Sequence, residues 1–241
     1  MALKRLDKLI ALNCNVSRKE ARALIKDGAV KLNGAFVLRA EELIDTAKDD
    51  IDVKGYNFTL RDHIYIMMNK PAGVITATED KHKQTVLDLV PPDLKRRSLF
   101  PCGRLDRDTT GLLILTDDGE LCHKILSPSH KVFKTYIARL EKPLSDGDIE
   151  VLEKGILLAD GTQCLPAKVK YFTDDGFNCA EIKIREGKYH QVKRMFAATG
   201  NYVEALKRVR TGALELDPDL AEGECRELTG EEIKLLFEDD D

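Results

Sequence analysis

The sequence predicts an α+β protein with a small N-terminal αβ module and a larger domain that contains a mixed, largely antiparallel sheet. Apolar strands and amphipathic helices follow one another at unequal spacing, whereas a parallel βαβ array requires regular alternation. An acidic stretch, 41–52, leads to residues 53–57, whose composition is typical of a linker. The 241 residues suffice for two modest domains. We place these domains at residues 1–60 and 61–241.

The N-terminal module is predicted to contain two helices and a β-hairpin. Apolar residues of the first helix recur at helical spacing, at Leu3, Leu6, Leu9 and Ile10. Ser17 and Glu20 form a capping box that starts the second helix, because each side chain reaches the backbone amide of the other residue. Gly28 is a typical residue just beyond a helix C-terminus. An alternating strand then enters an Asn33-Gly34 turn, which is a strong hairpin signal.

The larger domain is predicted to contain five strands and four helices. The strands are short apolar or alternating runs, at 64–68, 111–116, 135–140, 179–185 and 203–209. The helices are at 120–126, 146–154, 190–198 and 231–237. Asn69-Lys70-Pro71 ends the first of these strands, and Gly200 follows the third helix.

Composition excludes several classes of protein. Hydrophobic residues make up 43% and charged residues 33%, a balance typical of soluble globular chains rather than disordered or membrane ones. No apolar run approaches the ~20 residues of a membrane span, and the first ten residues lack the apolar core of a signal peptide. The six cysteines are scattered, without a CxxC pair or a His at ligand spacing. We therefore expect a cytoplasmic protein with reduced thiols and without a zinc site or disulfides.

The net charge of −4 conceals two basic regions and an acidic tail. Residues 1–40 contain nine Lys and Arg against three Asp and Glu, and residues 183–210 contain eight against two. Residues 213–241 contain two against twelve. The two basic regions are compatible with a polyanionic partner, although solvated surface charge explains such runs equally well.

The second helix of the module carries four cations, at Arg18, Lys19, Arg22 and Lys26. The last three share a face, and the helix N-terminus adds amides, so phosphates could dock there. A solvated helix face is the alternative. The full pattern resembles the S4-type RNA-binding domain, and it runs from Arg5-Leu-Asp-Lys8 through Ser17-Arg-Lys-Glu-Ala21 to Gly28-Ala-Val-Lys-Leu-Asn-Gly34. The resemblance implies two helices packed on a small sheet, with the basic helix presented to structured RNA.

A polar loop bracketed by Gly103 and Gly111 is a candidate site, because two glycines suit a carboxylate held in a tight turn. Asp106 is that carboxylate. Asp106, Asp108 and Thr110 also match the nucleophile loop of a Mg-dependent phosphatase. That loop needs an apolar strand directly before its first Asp, and Pro-Cys-Gly-Arg stands here instead. A purely structural turn is the other alternative.

The stretch 186–196 combines cations with a histidine near a helix start. Its apolar residues fit a core face, whereas Lys193 and Arg194 supply positive charge. His190 is a candidate general base near neutral pH, but a hydrogen-bonded structural role is the interpretation that we favour. No Ser or Cys nearby calls for a His base, so a catalytic triad has little support.

Four motifs in order resemble the pseudouridine synthases, and more narrowly their small-ribosomal-subunit rRNA branch, in which an S4-type domain precedes the catalytic domain. The motifs are Asn69-Lys-Pro-Ala-Gly73, Gly103-Arg-Leu-Asp106 through Thr116-Asp-Asp-Gly119, Lys134-Thr-Tyr136, and Gly187-Lys-Tyr-His-Gln-Val-Lys-Arg-Met-Phe-Ala-Ala198. The similarity covers residues 3–237. It implies an S4-type RNA-binding domain at 1–60 and a pseudouridine synthase catalytic domain at 61–241.

The resemblance implies an isomerase that breaks the C1′–N1 glycosidic bond of a specific uridine in 16S rRNA and rejoins the uracil through C5. Asp106 maps onto the catalytic aspartate, which attacks either C1′ or C6. Lys193 maps onto the cation that pairs with it, and Arg194 is the fallback. Tyr136 maps onto the active-site tyrosine, which stacks on the flipped base. Leu206 maps onto an apolar residue that packs against the uracil.

The remaining cations are expected to bind RNA: Arg104, Arg107, Lys70 and Arg194 in the larger domain, and Arg18, Lys19, Arg22 and Lys26 in the module. The reaction involves no redox change or net hydrolysis, so the resemblance implies no cofactor and no metal. We expect a cytoplasmic monomer whose partner is ribosomal RNA or a small-subunit precursor, with no membrane contact. Two alternatives stay open, namely a large-subunit rRNA synthase of a sister branch and a non-catalytic RNA-binding assembly factor.

Overall fold

The computed structural model describes residues 3–56 and 61–238. The chain divides into two compact units, Met1–Ile64 with Lys95–Leu99, and Tyr65–Leu94 with Phe100–Asp241. The predicted boundary at residue 60 and the last residue of the predicted linker lie outside the described residues. The short segment Lys95–Leu99 belongs to the first unit although it is distant in sequence, an arrangement that no local pattern predicts.

The first unit contains two helices and five short strands among its described residues. In chain order they are β1 (Lys4–Arg5), α1 (Leu6–Asn13), α2 (Arg18–Lys26), β2 (Val30–Leu32), β3 (Ala35–Phe36), β4 (Leu43–Ile44) and β5 (Ile51–Val53). β1 pairs with β4, and β2 pairs with both β3 and β5, all antiparallel. Val53 ends β5, so the assignment of this residue to a linker is wrong.

Local sequence signals account for these elements. Ser17 Oγ accepts a hydrogen bond from the Glu20 amide at 3.2 Å, and the Glu20 carboxylate accepts one from the Ser17 amide at 2.6 Å, which confirms the capping box. Asn33 (φ 49°) and Gly34 (φ 82°) both adopt the left-handed conformation that the tight hairpin requires. Leu3 lies before α1 and is exposed, so it is not part of the apolar face. That face contributes to a core that contains Leu6, Leu9, Ile10, Ala21, Ile25, Val30 and Ile44.

The second unit contains nine strands and four α-helices among its described residues. In chain order they are β6 (Tyr65–Lys70), β7 (Phe100–Pro101), β8 (Thr110–Thr116), α3 (Gly119–Leu126), β9 (Lys134–Leu140), α4 (Asp146–Lys154), β10 (Lys168–Asp174), β11 (Phe177–Ile184), α5 (Gln191–Ala198), β12 (Val203–Thr211), β13 (Leu214–Glu215), β14 (Cys225–Glu227) and α6 (Gly230–Leu235). The five predicted strands and four predicted helices are confirmed, with their ends within two residues of the predicted ones.

The strands of the second unit form one nine-stranded sheet. Its main path runs β10-β11-β9-β12-β8-β6-β14, with β13 beside β12 and β7 beside β8. β12 and β8 run parallel. The other strand pairs of the described sheet are antiparallel. The predicted mixed, largely antiparallel sheet is therefore confirmed.

Gly111 lies where the two parallel strands meet, opposite Arg208. Its φ is +97°, and an added Cβ would lie 2.2 Å from the Arg208 carbonyl oxygen. Only glycine fits so close an approach of two backbones. The contact fixes the beginning of β8, directly after the predicted site loop, against the middle of β12. An apolar cluster packs around these central strands, and it includes Met67, Leu112, Ile114, Leu121, Ile125 and Leu236.

The strands of the second unit that were not predicted are short or lie at an edge: β7, β10, β13 and β14. In the first unit the strands β1, β4 and β5 were not predicted either. β10 turns into β11 through Asp175 (φ 45°) and Gly176 (φ 81°). An Asp-Gly pair is a hairpin signal, so the sequence did carry the information for this strand. Within residues 3–56 and 61–238, every helix is too short or too polar to cross a bilayer.

Candidate active site

The predicted site loop connects β7 to β8 and carries Asp106. Gly103 starts the loop with a φ of +83°. Thr76 holds it, since the Thr76 hydroxyl donates to the Leu105 carbonyl at 2.8 Å and accepts from the Leu105 amide at 3.2 Å. The Asp106 carbonyl accepts from the Thr109 amide at 3.1 Å, which closes a tight turn. The backbone around Asp106 is therefore fixed, and 27% of its side chain is exposed.

Lys70 is the buried anchor of this loop. Its ammonium donates to the carbonyls of Pro71 (3.0 Å), Arg107 (3.3 Å) and Thr109 (3.0 Å). Burial lowers the pKa of Lys70 to about 8, although nearby carboxylates act in the opposite direction. The expectation that Lys70 contacts RNA phosphates is therefore wrong, because its side chain is fully buried and supports the loop from inside.

Two side chains at the start of α5 face Asp106. Lys193 Nζ lies 3.6 Å from Asp106 Oδ2 and 2.5 Å from Asp108 Oδ1. His190 Nε2 lies 3.5 Å from Asp106 Oδ1. The hydrogen bond from Lys193 is the main cause that holds the pKa of Asp108 below its ordinary value. Because the Asp108 side chain is 74% exposed, solvent screens this interaction more than it screens the one with Asp106.

A pocket opens beside the Asp106 carboxylate; its empty space is about 390 Å³, part of which is open to solvent. Tyr136 of β9 and Leu206 of β12 line it, and both are more than nine-tenths buried. Leu206 pairs across the strands with Ala138, two residues from Tyr136, so Leu206 and Tyr136 lie on the same face of the sheet. The structure thus brings the predicted Asp106, Tyr136 and Leu206 into one pocket, with Lys193 at the Asp106 carboxylate.

The start of α5 is fixed by a network around Glu186. This buried carboxylate accepts from the Gln191 side chain at 2.7 Å and from the Leu165 amide at 2.9 Å, and it pairs with Lys188 at 3.0 Å. Gln191 in turn accepts from the Lys188 amide at 2.9 Å. His190 follows with a left-handed φ of 48°, a conformation that non-glycine residues adopt rarely. The network therefore fixes the backbone on either side of His190.

The other predicted cations of the second unit differ in whether a ligand can reach them. Arg194 lies 2.5 Å from the Asp160 carboxylate, so the fallback role of Arg194 as the partner of Asp106 has no support in its contacts. Arg104 is exposed and lines the pocket. Arg107 is also exposed, and its Nε donates to a neighbouring loop carbonyl at 2.9 Å. Arg104 and Arg107 are accessible to a ligand, whereas Arg194 is held in an ion pair.

In the first unit, Asp7 forms ion pairs with three arginines, two of which belong to the basic helix α2. Its buried carboxylate contacts Arg5 at 3.1 Å, Arg18 at 2.9 Å and Arg22 at 2.9 Å. Desolvation alone would raise the pKa of Asp7, but the three guanidinium hydrogen bonds outweigh it and lower the pKa to about 2. The predicted RNA-binding cations of α2 are all exposed: Arg18, Lys19, Arg22 and Lys26.

The site contains two side chains, Asp108 and His190, that were not among its predicted residues. Asp108, which was weighed only for a phosphatase loop, makes the shorter contact with Lys193, and its two-residue spacing from Asp106 was the available signal. His190 was expected to make structural hydrogen bonds, but its side chain leaves the helix N-terminus uncapped and faces Asp106. In the part of the chain that the structure describes, no three or more His, Cys, Asp or Glu side chains are grouped so as to hold a metal ion.

The chain is similar to known proteins in sequence and in fold. Residues 64–198 match the RNA pseudouridylate synthase family, and residues 4–51 match the S4 domain. The chain is 48% identical over 235 residues to an uncharacterized RNA pseudouridine synthase of Bacillus subtilis (strain 168), covering 97% of this chain and 98% of that protein. It is 42% identical over 238 residues to ribosomal small subunit pseudouridine synthase A of Escherichia coli (strain K12), covering 95% and 98%. A crystal structure of a pseudouridylate synthase is 40% identical, with a TM-score of 0.66 over 96% of this chain and 99% of that one.

These matches follow the same order as the two units, with the S4 domain before the synthase domain. The predicted fold class is therefore confirmed. The family match covers more than half of the chain, and the relatives extend it to nearly the whole length. This chain belongs to the RNA pseudouridylate synthase family and is an RNA pseudouridine synthase with an N-terminal S4 domain.

Proposed function

We propose that this enzyme isomerises a specific uridine of 16S rRNA to pseudouridine, with Asp106 as the nucleophile. One arrangement carries the proposal. The partly enclosed Asp106 carboxylate faces the Lys193 ammonium and the His190 ring, beside a pocket that Tyr136 and Leu206 line. A nucleophilic carboxylate, a fixed cation and a flat apolar wall are what the breaking and remaking of a glycosidic bond to a planar base require.

Isomerisation exchanges one bond of the base for another. The C1′–N1 bond breaks, the uracil turns within the pocket, and a C1′–C5 bond forms. N1 takes up a proton and C5 releases one, so atoms and electrons balance without an oxidant or a hydrolytic water. The Asp106 carboxylate forms a transient covalent bond to C1′ or C6, and this bond breaks before the product leaves.

The surrounding side chains support this chemistry. The Lys193 ammonium lies 3.6 Å from Asp106 Oδ2 and places a positive charge beside the attacking carboxylate. Tyr136 stacks on the flipped uracil and Leu206 packs against it. These contacts offset the few kcal/mol that removing a base from its stack costs.

The choice of 16S rRNA rests on the first unit and on the name of the Escherichia coli relative, ribosomal small subunit pseudouridine synthase A. The exposed cations of α2 contact phosphates, which sets register on a folded RNA without reading its sequence. The substrate is therefore small-subunit rRNA, either free or in a precursor particle. The isomerisation balances without a small-molecule cofactor.

The test is single-turnover pseudouridine formation on 16S rRNA and on its precursor particle. Asp106→Asn keeps the shape of the side chain but removes the nucleophilic anion, so we expect no detectable product and an RNA affinity within about twofold of wild type. Asp108→Asn is the matched control, because it neutralises the other carboxylate on Lys193 in the same loop. We expect this control to retain most of the activity.

Three other results would contradict parts of this proposal. Product formation by Asp106→Asn, with loss confined to Asp108→Asn, would assign the nucleophile to Asp108. Modification of 23S but not 16S rRNA by the wild-type protein would contradict the small-subunit substrate. Tight binding by the wild-type protein without turnover on any rRNA would indicate the non-catalytic assembly role instead.

A further inference from the structure

A groove continues from the active-site pocket along the surface of the second unit. Its empty space is about 1150 Å³, part of which is open to solvent, and it shares Arg104, Asp106 and His190 with the pocket. Thr76 and Tyr189 line the part that the pocket does not include. The proposed reaction needs room for one uracil only. The additional space is therefore available to a neighbouring part of the RNA.

Tyr189 stands out among the side chains of this groove. It is 75% exposed, more than any other large hydrophobic side chain of the described residues. Its ring stacks on that of His190, with centroids 3.8 Å apart and planes 18° apart. One face of the Tyr189 ring is thus covered by His190, and the exposed remainder offers the other face to a ligand.

The backbone holds this pair of rings in place. His190 has a left-handed φ of 48°. The Tyr189 carbonyl accepts a hydrogen bond from Arg194 Nη1 at 3.2 Å, and Arg194 is itself held by Asp160 at 2.5 Å. An unusual backbone conformation persists where its surroundings fix it, and such positions cluster at functional sites. The exposed ring therefore sits on a fixed segment.

The charges of the groove suit a nucleic acid. Arg104 and Arg107 are exposed along its wall. Asp80 also lines the groove, but its carboxylate accepts hydrogen bonds from the His82 and Lys83 amides at 2.8 and 2.9 Å. Unpaired RNA is bound by aromatic rings that stack on its bases and by cations that contact its phosphates. The groove offers both features side by side.

We propose that the open face of Tyr189 is a stacking platform for a base adjacent to the target uridine. This inference rests on the proposed function, because turning the target uracil into the pocket deprives its neighbour of a stacking partner. Tyr189 supplies a replacement next to the pocket. Tyr189 is thus a binding residue.

The test compares three substitutions, with binding measured in the Asp106→Asn background so that no turnover occurs. The probe is the shortest rRNA fragment that the wild-type protein modifies. We expect Tyr189→Ala to raise the Kd about 10- to 100-fold, as loss of one stacked base does, and Tyr189→Phe to stay within about twofold. Tyr202→Ala is the matched control, because Tyr202 is also a highly exposed tyrosine of the second unit and lies outside the groove. We expect it to bind normally.

The same fragment with an abasic residue on either side of the target uridine identifies the stacked base. In the RNA that lacks this base, Tyr189→Ala should cause no further loss of affinity. Normal binding by Tyr189→Ala, or an equal loss in both abasic RNAs, would overturn the proposal. Neither result affects the proposed function, which fails instead if the wild-type protein does not modify 16S rRNA.

Discussion

Lys193 contacts two carboxylates that differ in exposure, and this difference determines what its replacement does. Its ammonium is closer to the exposed Asp108, at 2.5 Å, than to the more enclosed Asp106, at 3.6 Å. Solvent weakens an ion pair with an exposed group. The interaction with Asp106 therefore matters more for the reaction, although its distance is longer.

Lys193→Met should lower the single-turnover rate at saturating RNA at least about 100-fold while it changes the Kd by less than about threefold. The reason is that loss of a cation beside the nucleophile acts on the reacting state, whereas loss of a phosphate contact acts on binding. Lys193→Arg should keep part of the activity, since it retains the charge but has a different geometry. A normal rate with weakened binding in Lys193→Met would show that Lys193 is a phosphate contact.

Asp106, Tyr136 and Leu206 were predicted to share one site through the resemblance to the pseudouridine synthases, and the strands and the loop that carry them do meet in one pocket. The place of Lys70 could not be predicted in the same way. A lysine next to a proline at a strand end is usually solvated. It is buried here because the loop at 107–109 folds over it and supplies backbone carbonyls, and this depends on tertiary structure.

Among the elements, α1 and α2 are joined by the buried Asp7 carboxylate and its arginines. The folded-state pKa of Asp7, about 2, lies below its ordinary value of 3.8. A carboxyl group with a lowered folded-state pKa contributes stability above its unfolded pKa, and this contribution is lost as the pH falls through the folded one. The first unit should therefore lose roughly 2 kcal/mol of stability between pH 4 and pH 2 from this group.

Hydrogen exchange of the α2 amides in the full-length protein measures this contribution. Wild type should show a steep loss of protection as the pH falls from 4 to 2, once the intrinsic exchange rate is allowed for. Asp7→Asn should be less protected at pH 5 and should lack that additional loss. Equal protection of the two proteins at pH 5 would show that the three arginine contacts do not stabilise the unit.

The parallel contact between β8 and β12 makes a second prediction at this scale. Gly111→Ala places a Cβ 2.2 Å from the Arg208 carbonyl oxygen, at a φ of +97°. The strands must then separate, which we expect to cost at least about 2 kcal/mol of unfolding free energy and most of the activity, because Asp106 lies on the adjoining loop. At Gly119 an added Cβ meets no described atom within 4 Å. Gly119→Ala should therefore change stability by less than about 1 kcal/mol.

Urea unfolding monitored by circular dichroism gives both values. A Gly111→Ala protein as stable as Gly119→Ala would mean that the stability of the fold does not require the close approach of β8 and β12.

Elements with strong local signals, such as the Ser17 capping box and the Asn33-Gly34 turn, were predicted correctly. β10 was not predicted, although the Asp175-Gly176 pair that turns it into β11 is a hairpin signal.

For the molecule as a whole, we expect RNA affinity to come in large part from phosphate contacts of the first unit. Replacing Lys19 and Lys26 together by Gln should weaken binding. It should also make the slope of log Kd against log salt concentration shallower by about 1.5. The reason is that the RNA releases fewer counterions on binding when the protein neutralises fewer phosphates. Lys48→Gln with Lys54→Gln is the matched control, because these lysines are exposed in the same unit but lie outside α2.

An unchanged slope in the Lys19 and Lys26 double variant would show that α2 does not face the RNA. A decrease in slope equal to that of the Lys48 and Lys54 control would show that net charge alone determines the salt dependence of binding.

The basic character of α2 was visible in the sequence. The inclusion of Lys95–Leu99 in the first unit was not, since it depends on contacts between residues far apart in the chain.

We propose that Asp106 carries out the isomerisation of one uridine in 16S rRNA. Mapping pseudouridine across 16S and 23S rRNA, in cells that lack this protein, tests this role. We expect that a single pseudouridine disappears from 16S rRNA, that wild-type protein restores it, and that Asp106→Asn produced at the same level does not. Loss of a pseudouridine from 23S rRNA instead, or restoration by Asp106→Asn, would contradict it.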